Sequence, residues 1–195
     1  MKKDKKTEEL DYYFDSYSYI GIHHEMLEDQ VRTNAYRHAI ENNPQLFLNK
    51  VVMDIGTGTG ILSMFAVKAG AKHVYAIEKA DIYKLAKKNI KENGMESKIT
   101  VINQFVEELE LTEKVDIIIS EWMGYFLWFE GMFDSVLFAA KKWLKPEGMM
   151  FPDKASVFLA ACDYPDKFIE NKYNQLVVPQ KTIETIPDYQ LLNRL

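Results

Sequence analysis

The 195-residue chain has the length of one ordinary domain. Its 47% hydrophobic and 27% charged residues, with few glycines and prolines, exclude the disordered and collagen-like classes. The net charge of −5, from 24 lysines and arginines against 29 aspartates and glutamates, disfavours direct binding of nucleic acid and favours basic peptides as partners. An acidic surface that serves solubility alone is the alternative.

The chain begins with a lysine-rich run and no apolar signal segment, so we interpret residues 1–10 as a flexible basic tail. Without the first six residues, which hold four lysines and one aspartate, the balance is 20 basic against 28 acidic residues. No apolar run approaches the roughly 20 residues of a membrane-spanning helix, so no membrane partner is expected. With Cys162 as the only cysteine, neither an internal disulfide nor a thiolate zinc site can form, and no metal is expected. A reducing cytosol or nucleus is the expected location.

Residues 11–44 are polar and rich in aromatic residues, and they are predicted to form two helices that end at Asn42-Asn43-Pro44. Tyr13 and Tyr17 are four residues apart, a spacing that is also typical of a helix face turned to the core. This segment is predicted to precede the main domain.

Residues 45–153 alternate strand-like and helical segments. The strands are predicted at 51–55, 73–78, 99–102 and 115–119, and the helices at 61–69, 81–94 and 132–143, the second of them capped by Asp81. Such alternation predicts an α/β fold with a doubly wound, Rossmann-like parallel sheet. The sequence Lys145-Pro146-Glu147-Gly148 is interpreted as a turn, and residues 154–195 as a β-rich region that opens with a strand at 155–161.

The glycine turn at residues 56–60, GTGTG, follows the first predicted strand and precedes a helix. Its third glycine, Gly60, comes one residue too early for a dinucleotide fingerprint, and no lysine follows for a P-loop. The pattern therefore indicates a ligand with an adenosine and no phosphates, of which S-adenosylmethionine is the common one. Glu78 ends the second strand about 20 residues on, where a carboxylate can accept hydrogen bonds from both ribose hydroxyls. Each feature alone is also compatible with an ordinary turn and an exposed acid.

The loop at 120–130 carries two acids, Glu121 and Glu130, around an apolar and aromatic stretch. Glu121 should face the same crevice as Gly58 and Glu78, because ligands bind at the carboxyl ends of parallel strands. If the loop folds back, Glu130 joins it. Two close carboxylates favour a cation between them, and a guanidinium suits them best. A packed hairpin with two solvated acids is the alternative.

Together these segments resemble the protein arginine N-methyltransferases, in particular the type I enzymes, over residues 11–162. The resemblance rests on the glycine turn, the loop between the two glutamates and the segments YYFDSY (12–17), GIH (21–23), EMLEDQVRT (25–33) and FPD (151–153). It implies methyl transfer from S-adenosylmethionine to arginine in proteins, with S-adenosylhomocysteine and asymmetric dimethylarginine as products. It also implies Arg/Gly-rich proteins and histone tails as substrates, a homodimer, and a cytoplasmic and nuclear location.

The resemblance also implies that residues 11–44 form a helical lid over the cofactor, and it implies roles for single residues. Arg32 would hold the carboxylate of the methyl donor, Glu78 the ribose, and Glu107 with the Val106 backbone the adenine. The cofactor site as a whole comprises Tyr13, His23, Met26, Arg32, Asp54, Gly56, Gly58, Gly60, Glu78, Val106, Glu107 and Met132. The arginine site comprises Tyr17, Met123 and the catalytic pair Glu121 and Glu130. Met26 and Met132 would leave room for a second methyl group.

The family enzymes continue into a β-barrel that carries a dimerisation arm and a Thr-His-Trp loop. That triplet does not occur in this chain, and residues 163–195 match the family poorly. Two alternatives therefore stay open: a cofactor-binding fragment or inactive truncated form, and a methyltransferase of the same fold with a non-protein acceptor.

Overall fold

The computed structural model describes Phe14 and residues 16–159, and the chain divides into two compact units after Lys154. The expectations for Tyr13, Cys162 and residues 160–195 lie outside the described residues. In the second unit, residues 155–159 form no strand, so the described part of the strand expected at 155–161 has a different conformation. No helix in the described part of the chain is long and apolar enough to cross a bilayer.

The first unit is built on a five-stranded sheet in which all neighbouring strands are parallel. Its order is β3-β2-β1-β4-β5, with β1 at Val51–Ile55, β2 at His73–Ile77, β3 at Ile99–Ile102, β4 at Val115–Ser120 and β5 at Leu144–Phe151. Every residue of β1 is buried, as its continuous apolar run predicts for a strand covered on both faces. The predicted doubly wound α/β fold is confirmed.

Six helices are described around this sheet: α1 (Ile20–Glu28), α2 (Gln30–Glu41), α3 (Pro44–Phe47), α4 (Ile61–Lys68), α5 (Tyr83–Glu92) and α6 (Met132–Trp143). One face of the sheet packs on a core that includes Ile40, Phe47 and Phe65. The other face packs on Val136 and Trp143 of α6. Helices therefore cover both faces, and the predicted break at residues 42–44 separates α2 from α3.

Two local predictions differ from the structure. Asp81 does not cap α5, which begins at Tyr83 without a side-chain cap. The Asp81 carboxylate instead accepts a hydrogen bond from Lys84 Nζ at 2.7 Å. The turn expected at residues 145–148 lies within β5 as a bulge, because Val115 pairs with Leu144 while Ile117 pairs with Met149. Pro146 is compatible with this strand because β5 is at the sheet edge and the bulge breaks the ladder.

The strand order determines where a ligand can bind. From β1 the chain moves outward to β2 and β3 and then returns to place β4 on the other side of β1. The connections that follow β1 and β4 therefore diverge and leave a crevice at the carboxyl ends of these two strands. The glycine turn follows β1, and Glu121 follows β4.

Candidate active site

A cavity of about 710 Å³ lies at this edge of the sheet. Its volume is within the range of small-molecule sites. Most of the expected site residues line it: Tyr17, His23, Met26, Arg32, Gly56, Gly58, Glu78, Val106, Glu107, Glu121, Met123, Glu130 and Met132. The cavity thus joins the predicted cofactor and arginine residues in one continuous space.

The glycine turn forms one wall of the cavity with its bare backbone. Gly58 has a φ of +54°, and a Cβ there would lie 3.2 Å from the His23 ring. Any side chain would therefore be strained by the backbone and would press on α1. The glycine leaves room for a ligand to approach the main chain, as an adenosine-containing cofactor requires.

Glu78 is held at the end of β2 by two backbone amides. Gly58 N donates to its Oε2 at 2.9 Å, and Ala80 N donates to its Oε1 at 2.8 Å. Burial raises the pKa of this carboxyl above its usual range, and the backbone amides oppose the rise. Each oxygen keeps a further lone pair, so the carboxylate can still accept from a ligand diol.

Two residues expected at the cofactor lie away from the cavity wall. Asp54 is fully buried beneath the glycine turn, where its Oδ2 accepts from Thr57 Oγ1 at 2.6 Å and from Ser63 Oγ at 2.7 Å. Gly60 precedes α4, and a Cβ there would meet Ile90 of α5 at 3.4 Å. These positions shape the turn from below, and the structure brings neither of them to the cavity surface.

Glu121 binds a guanidinium that the chain itself supplies. Arg32 Nε donates to Glu121 Oε2 at 2.7 Å, and Arg32 Nη2 donates to the same oxygen. Arg32 Nη1 donates to the Met26 carbonyl at 3.1 Å. The resemblance implies Arg32 at the carboxylate of the donor, whereas the structure pairs it with the expected substrate-binding glutamate. Two of the five N–H donors of Arg32 remain outside these three contacts.

Glu130 accepts a hydrogen bond from the Tyr17 hydroxyl at 2.8 Å. Burial, and then the neighbouring Glu130, raise the pKa of Tyr17, so this hydroxyl stays protonated and donates. The Tyr17 carbonyl is 2.8 Å from His23 Nε2, which must carry the proton because a carbonyl can only accept. Burial lowers the pKa of His23, so the ring is neutral and its Nδ1 faces the glycine turn as an acceptor.

The loop between the two glutamates folds back, as the sequence predicted. Gly124 and Leu127 form an antiparallel bridge with N···O distances of 3.2 and 3.0 Å, and this bridge reverses the chain. A Cβ at Gly124 would lie 2.6 Å from Glu130 Oε1, so only glycine lets that carboxylate fold over the loop. The hairpin therefore brings Glu130 to the same cavity as Glu121.

The other end of the cavity lies beside the 3₁₀ turn at Val106–Glu108. Glu107 Oε1 accepts from Ser135 Oγ at 2.5 Å, and Phe14 packs edge-on against Phe105 with ring centroids 5.2 Å apart. All four side chains line the cavity. This apolar end with one carboxylate fits a flat base such as adenine.

Sequence reasoning missed Tyr36, which also lines the cavity. Its hydroxyl donates to the Ser120 carbonyl at 3.0 Å. The signal was present, because Tyr36 follows Arg32 by four residues and so lies on the same face of α2.

The arrangement provides a cofactor-sized cavity, a buried carboxylate for a diol and two carboxylates suited to a guanidinium. No group of three His, Cys, Asp or Glu side chains within residues 16–159 is placed to hold a metal ion. The site can therefore bring a basic side chain next to an adenosine-type ligand.

Comparison with known proteins identifies similar chains. The family model for ribosomal protein L11 methyltransferase (PrmA) matches residues 37–149, which cover the glycine turn and all of the sheet except the last two residues of β5, but not Tyr17 or Arg32. Protein arginine N-methyltransferase 8-B of Danio rerio is 55% identical over 167 residues, which cover 84% of this chain and 40% of that protein. Protein arginine N-methyltransferase 1 of Dictyostelium discoideum is 51% identical over 175 residues, which cover 89% of this chain and 51% of that protein.

Solved structures of protein arginine methyltransferases are also similar to this chain. The Trypanosoma brucei PRMT1 enzyme-prozyme heterotetrameric complex with AdoHcy superposes with a TM-score of 0.70 at 54% identity, over 71% of this chain and 44% of that chain. The structure of PRMT6-SAH superposes with a TM-score of 0.65 at 34% identity, over 69% of this chain and 46% of that chain. The chain thus spans about half the length, or less, of the relatives that it matches.

Proposed function

The chain belongs to the protein arginine N-methyltransferase family, and from this premise we propose that it transfers methyl groups from S-adenosylmethionine to arginine side chains of proteins. The observation that supports this most is that Glu121, next to the cofactor-sized cavity, already binds the Arg32 guanidinium. A carboxylate that holds one guanidinium in this crevice is suited to hold that of a substrate.

The cofactor fits the residues present. Gly58 offers bare backbone, the Glu78 carboxylate can accept from the ribose, and Glu107 lies at the apolar end. S-adenosylmethionine, when bound, supplies a methyl group attached to a positively charged sulfur, and S-adenosylhomocysteine is its product.

The two glutamates address the main chemical obstacle. A guanidinium has a pKa near 13.8, so removing its proton at pH 7 would cost on the order of 9 kcal/mol. Glu121 and Glu130 instead offset the positive charge and draw it toward the nitrogens that they contact. The terminal nitrogen that they contact least is then the better nucleophile, and the proton that it loses on methylation would pass to one of the two carboxylates or to water. Fixed carboxylates stabilise the transition state without reorganising. The Tyr17 hydroxyl keeps the Glu130 carboxylate in place.

The finer statements are also proposals. We propose asymmetric dimethylarginine as the product, since Met26 and Met132 both line the cavity and would leave room beside the reacting nitrogen. Arg/Gly-rich proteins and histone tails are the proposed substrates, because the net charge of the chain is negative. A homodimer follows from the resemblance alone, and a location in cytoplasm and nucleus follows from the resemblance and from the single cysteine.

The test uses the full 195-residue chain with S-adenosylmethionine and a peptide in which one arginine is flanked by glycines. Calorimetry measures donor binding, and mass spectrometry follows the peptide. We expect a mass gain of two methyl groups on one terminal nitrogen of the arginine, and loss of this gain in Glu121→Gln and Glu130→Gln. Glu147→Gln, an exposed position on β5, is the control.

The alternative outcomes are distinct. Unchanged methylation in both glutamate variants would refute the proposed roles. Donor binding without any mass gain would select a cofactor-binding fragment, and methylation of RNA or metabolites in preference to the peptide would select a different acceptor.

A further inference from the structure

Helix α2 contacts the part of the cavity that carries Glu121 through two side chains. Arg32 and Tyr36 are four residues apart and share a helix face. Arg32 donates to the Glu121 carboxylate, and the Tyr36 hydroxyl donates to the carbonyl of Ser120, the residue that precedes Glu121 in the chain. The helix thus holds both the side chain of Glu121 and the backbone that carries it.

The Ser120 carbonyl is a point where a small shift would move the glutamate. Ser120 is the last residue of β4 and is 2% exposed, and its own hydroxyl donates to the Ile55 carbonyl at 2.9 Å. Ile55 is the last residue of β1, immediately before the glycine turn. The Ser120 hydroxyl therefore ties the end of β4 to the end of β1, whereas Tyr36 holds the Ser120 carbonyl.

The environment of Tyr36 keeps it a donor. Burial raises the pKa of its hydroxyl, and the nearby Glu121 carboxylate adds to the rise. The ring packs against the core on the α2 side of the sheet, so the side chain has little freedom to turn away.

We propose that Tyr36 is a positioning residue for arginine recognition: by holding the Ser120 carbonyl, its hydroxyl sets where the Glu121 carboxylate lies. This inference rests on the proposed function for its consequence, since the guanidinium that Glu121 would receive is that of the substrate. The Tyr36 hydroxyl does not touch the reacting atoms itself. Its removal should weaken arginine binding while leaving the cofactor pocket intact.

The first test requires neither cofactor nor peptide. In the 195-residue chain, the Nε–H signal of Arg32 in nuclear magnetic resonance reports the bond to Glu121. In Tyr36→Phe we expect this signal to shift and to exchange faster with water. Tyr75→Phe is the matched control, because Tyr75 also donates its hydroxyl to a neighbour, Glu113, but lies outside the cavity. An unchanged Arg32 signal in Tyr36→Phe would overturn the proposal.

The second test separates positioning from general stability. With S-adenosylhomocysteine saturating the chain, Tyr36→Phe should weaken binding of the glycine-flanked arginine peptide about tenfold, below the hundredfold that a misplacement of about 1 Å can cost in catalysis. Donor affinity should change less than about twofold. The loss should disappear when Glu121→Gln is already present but persist with Glu130→Gln, because Tyr36 acts through Glu121.

The outcomes also separate this inference from the proposed function. If the unmodified chain binds no arginine peptide, the proposed function fails while the Arg32 signal still tests the positioning role. If the chain binds peptide and Tyr36→Phe binds it equally well, the positioning role fails and the proposed function stands. If Tyr36→Phe does not fold, Tyr36→His, which can place a ring N–H near Ser120, should restore the Arg32 signal, and failure to do so in a folded variant would count against the proposal.

Discussion

Replacing Arg32 with methionine should have opposite effects on the two ligands of the site. Methionine has a similar length but no charge, so Glu121 loses the guanidinium that it now binds. A peptide arginine then no longer competes with Arg32 for the same carboxylate. We therefore expect Arg32→Met to bind an arginine peptide more tightly when no donor is present. The variant should bind the donor more weakly, because the family resemblance implies that Arg32 holds the carboxylate of the donor.

The size of the gain follows from the exposure of the pair. The Arg32 side chain is 31% exposed and that of Glu121 is 16% exposed, so the ion pair is neither a surface pair nor a buried one. Hydrogen bonds to charged groups contribute about 1.5–3 kcal/mol, and exposed pairs contribute about 0–1 kcal/mol. Taking about 1.5–2 kcal/mol for this pair predicts a peptide affinity roughly 10- to 30-fold higher.

The assay is calorimetric titration of the peptide into the chain with the donor omitted. Arg37→Met is the control, since it removes the same charge from the same helix, where Arg37 pairs with Glu41. Weaker or unchanged peptide binding in Arg32→Met would refute the reasoning, because Arg32 would then not compete for Glu121.

Three further predictions concern the cofactor side. In denaturant titrations, Gly58→Ala should lower the free energy of unfolding by about 1–2 kcal/mol because of its positive φ, and by more because the new Cβ would contact His23; it should also weaken donor binding. Gly94→Ala is the control for the backbone cost alone, since Gly94 has a φ of +67° and a Cβ there would have no atom within 4 Å. Donor affinity should fall as pH drops through the raised pKa of Glu78, because only the ionised carboxylate accepts from both ribose hydroxyls, and Glu78→Gln should flatten that calorimetric pH profile. Burial raises the pKa of Asp54 above 3.8 in the folded chain, so the protonated carboxyl stabilises the fold fully below pH 3.8 and this contribution is lost as pH rises through the raised pKa. Asp54→Asn should remove this decline in the free energy of unfolding, and an identical pH dependence in the variant would contradict the prediction.

Much of the fold was accessible from the sequence because its strands are continuous apolar runs. The bounds of β1 and β3 agree with the predicted strands, and α6 has the predicted bounds 132–143. The strand β5 was missed because Lys145-Pro146-Glu147-Gly148 has the composition of a turn. Those residues do leave the ladder, but as a bulge inside an edge strand, and only pairing with β4 distinguishes the two arrangements.

The site was predictable where a residue acts through its type and its place on a strand end. Glu78 and Glu121 are such residues, since the carboxyl ends of parallel strands meet at one edge. The pairing of Arg32 with Glu121 was not predictable, because it depends on how α2 packs against the end of β4, 89 residues further along the chain. Asp54 was expected at the cofactor from the resemblance, which does not show that this side chain lies fully buried beneath the glycine turn.

The bulge in β5 also offers a place to modify this protein. Pro146 and Glu147 are exposed, and they precede the residues of β5 that pair with the middle of β4. In a parallel sheet the start of every strand lies at the edge opposite the carboxyl ends, so the bulge is remote from the cavity. A short peptide tag or a fluorescent label inserted between these two residues should therefore report on the molecule without disturbing ligand binding.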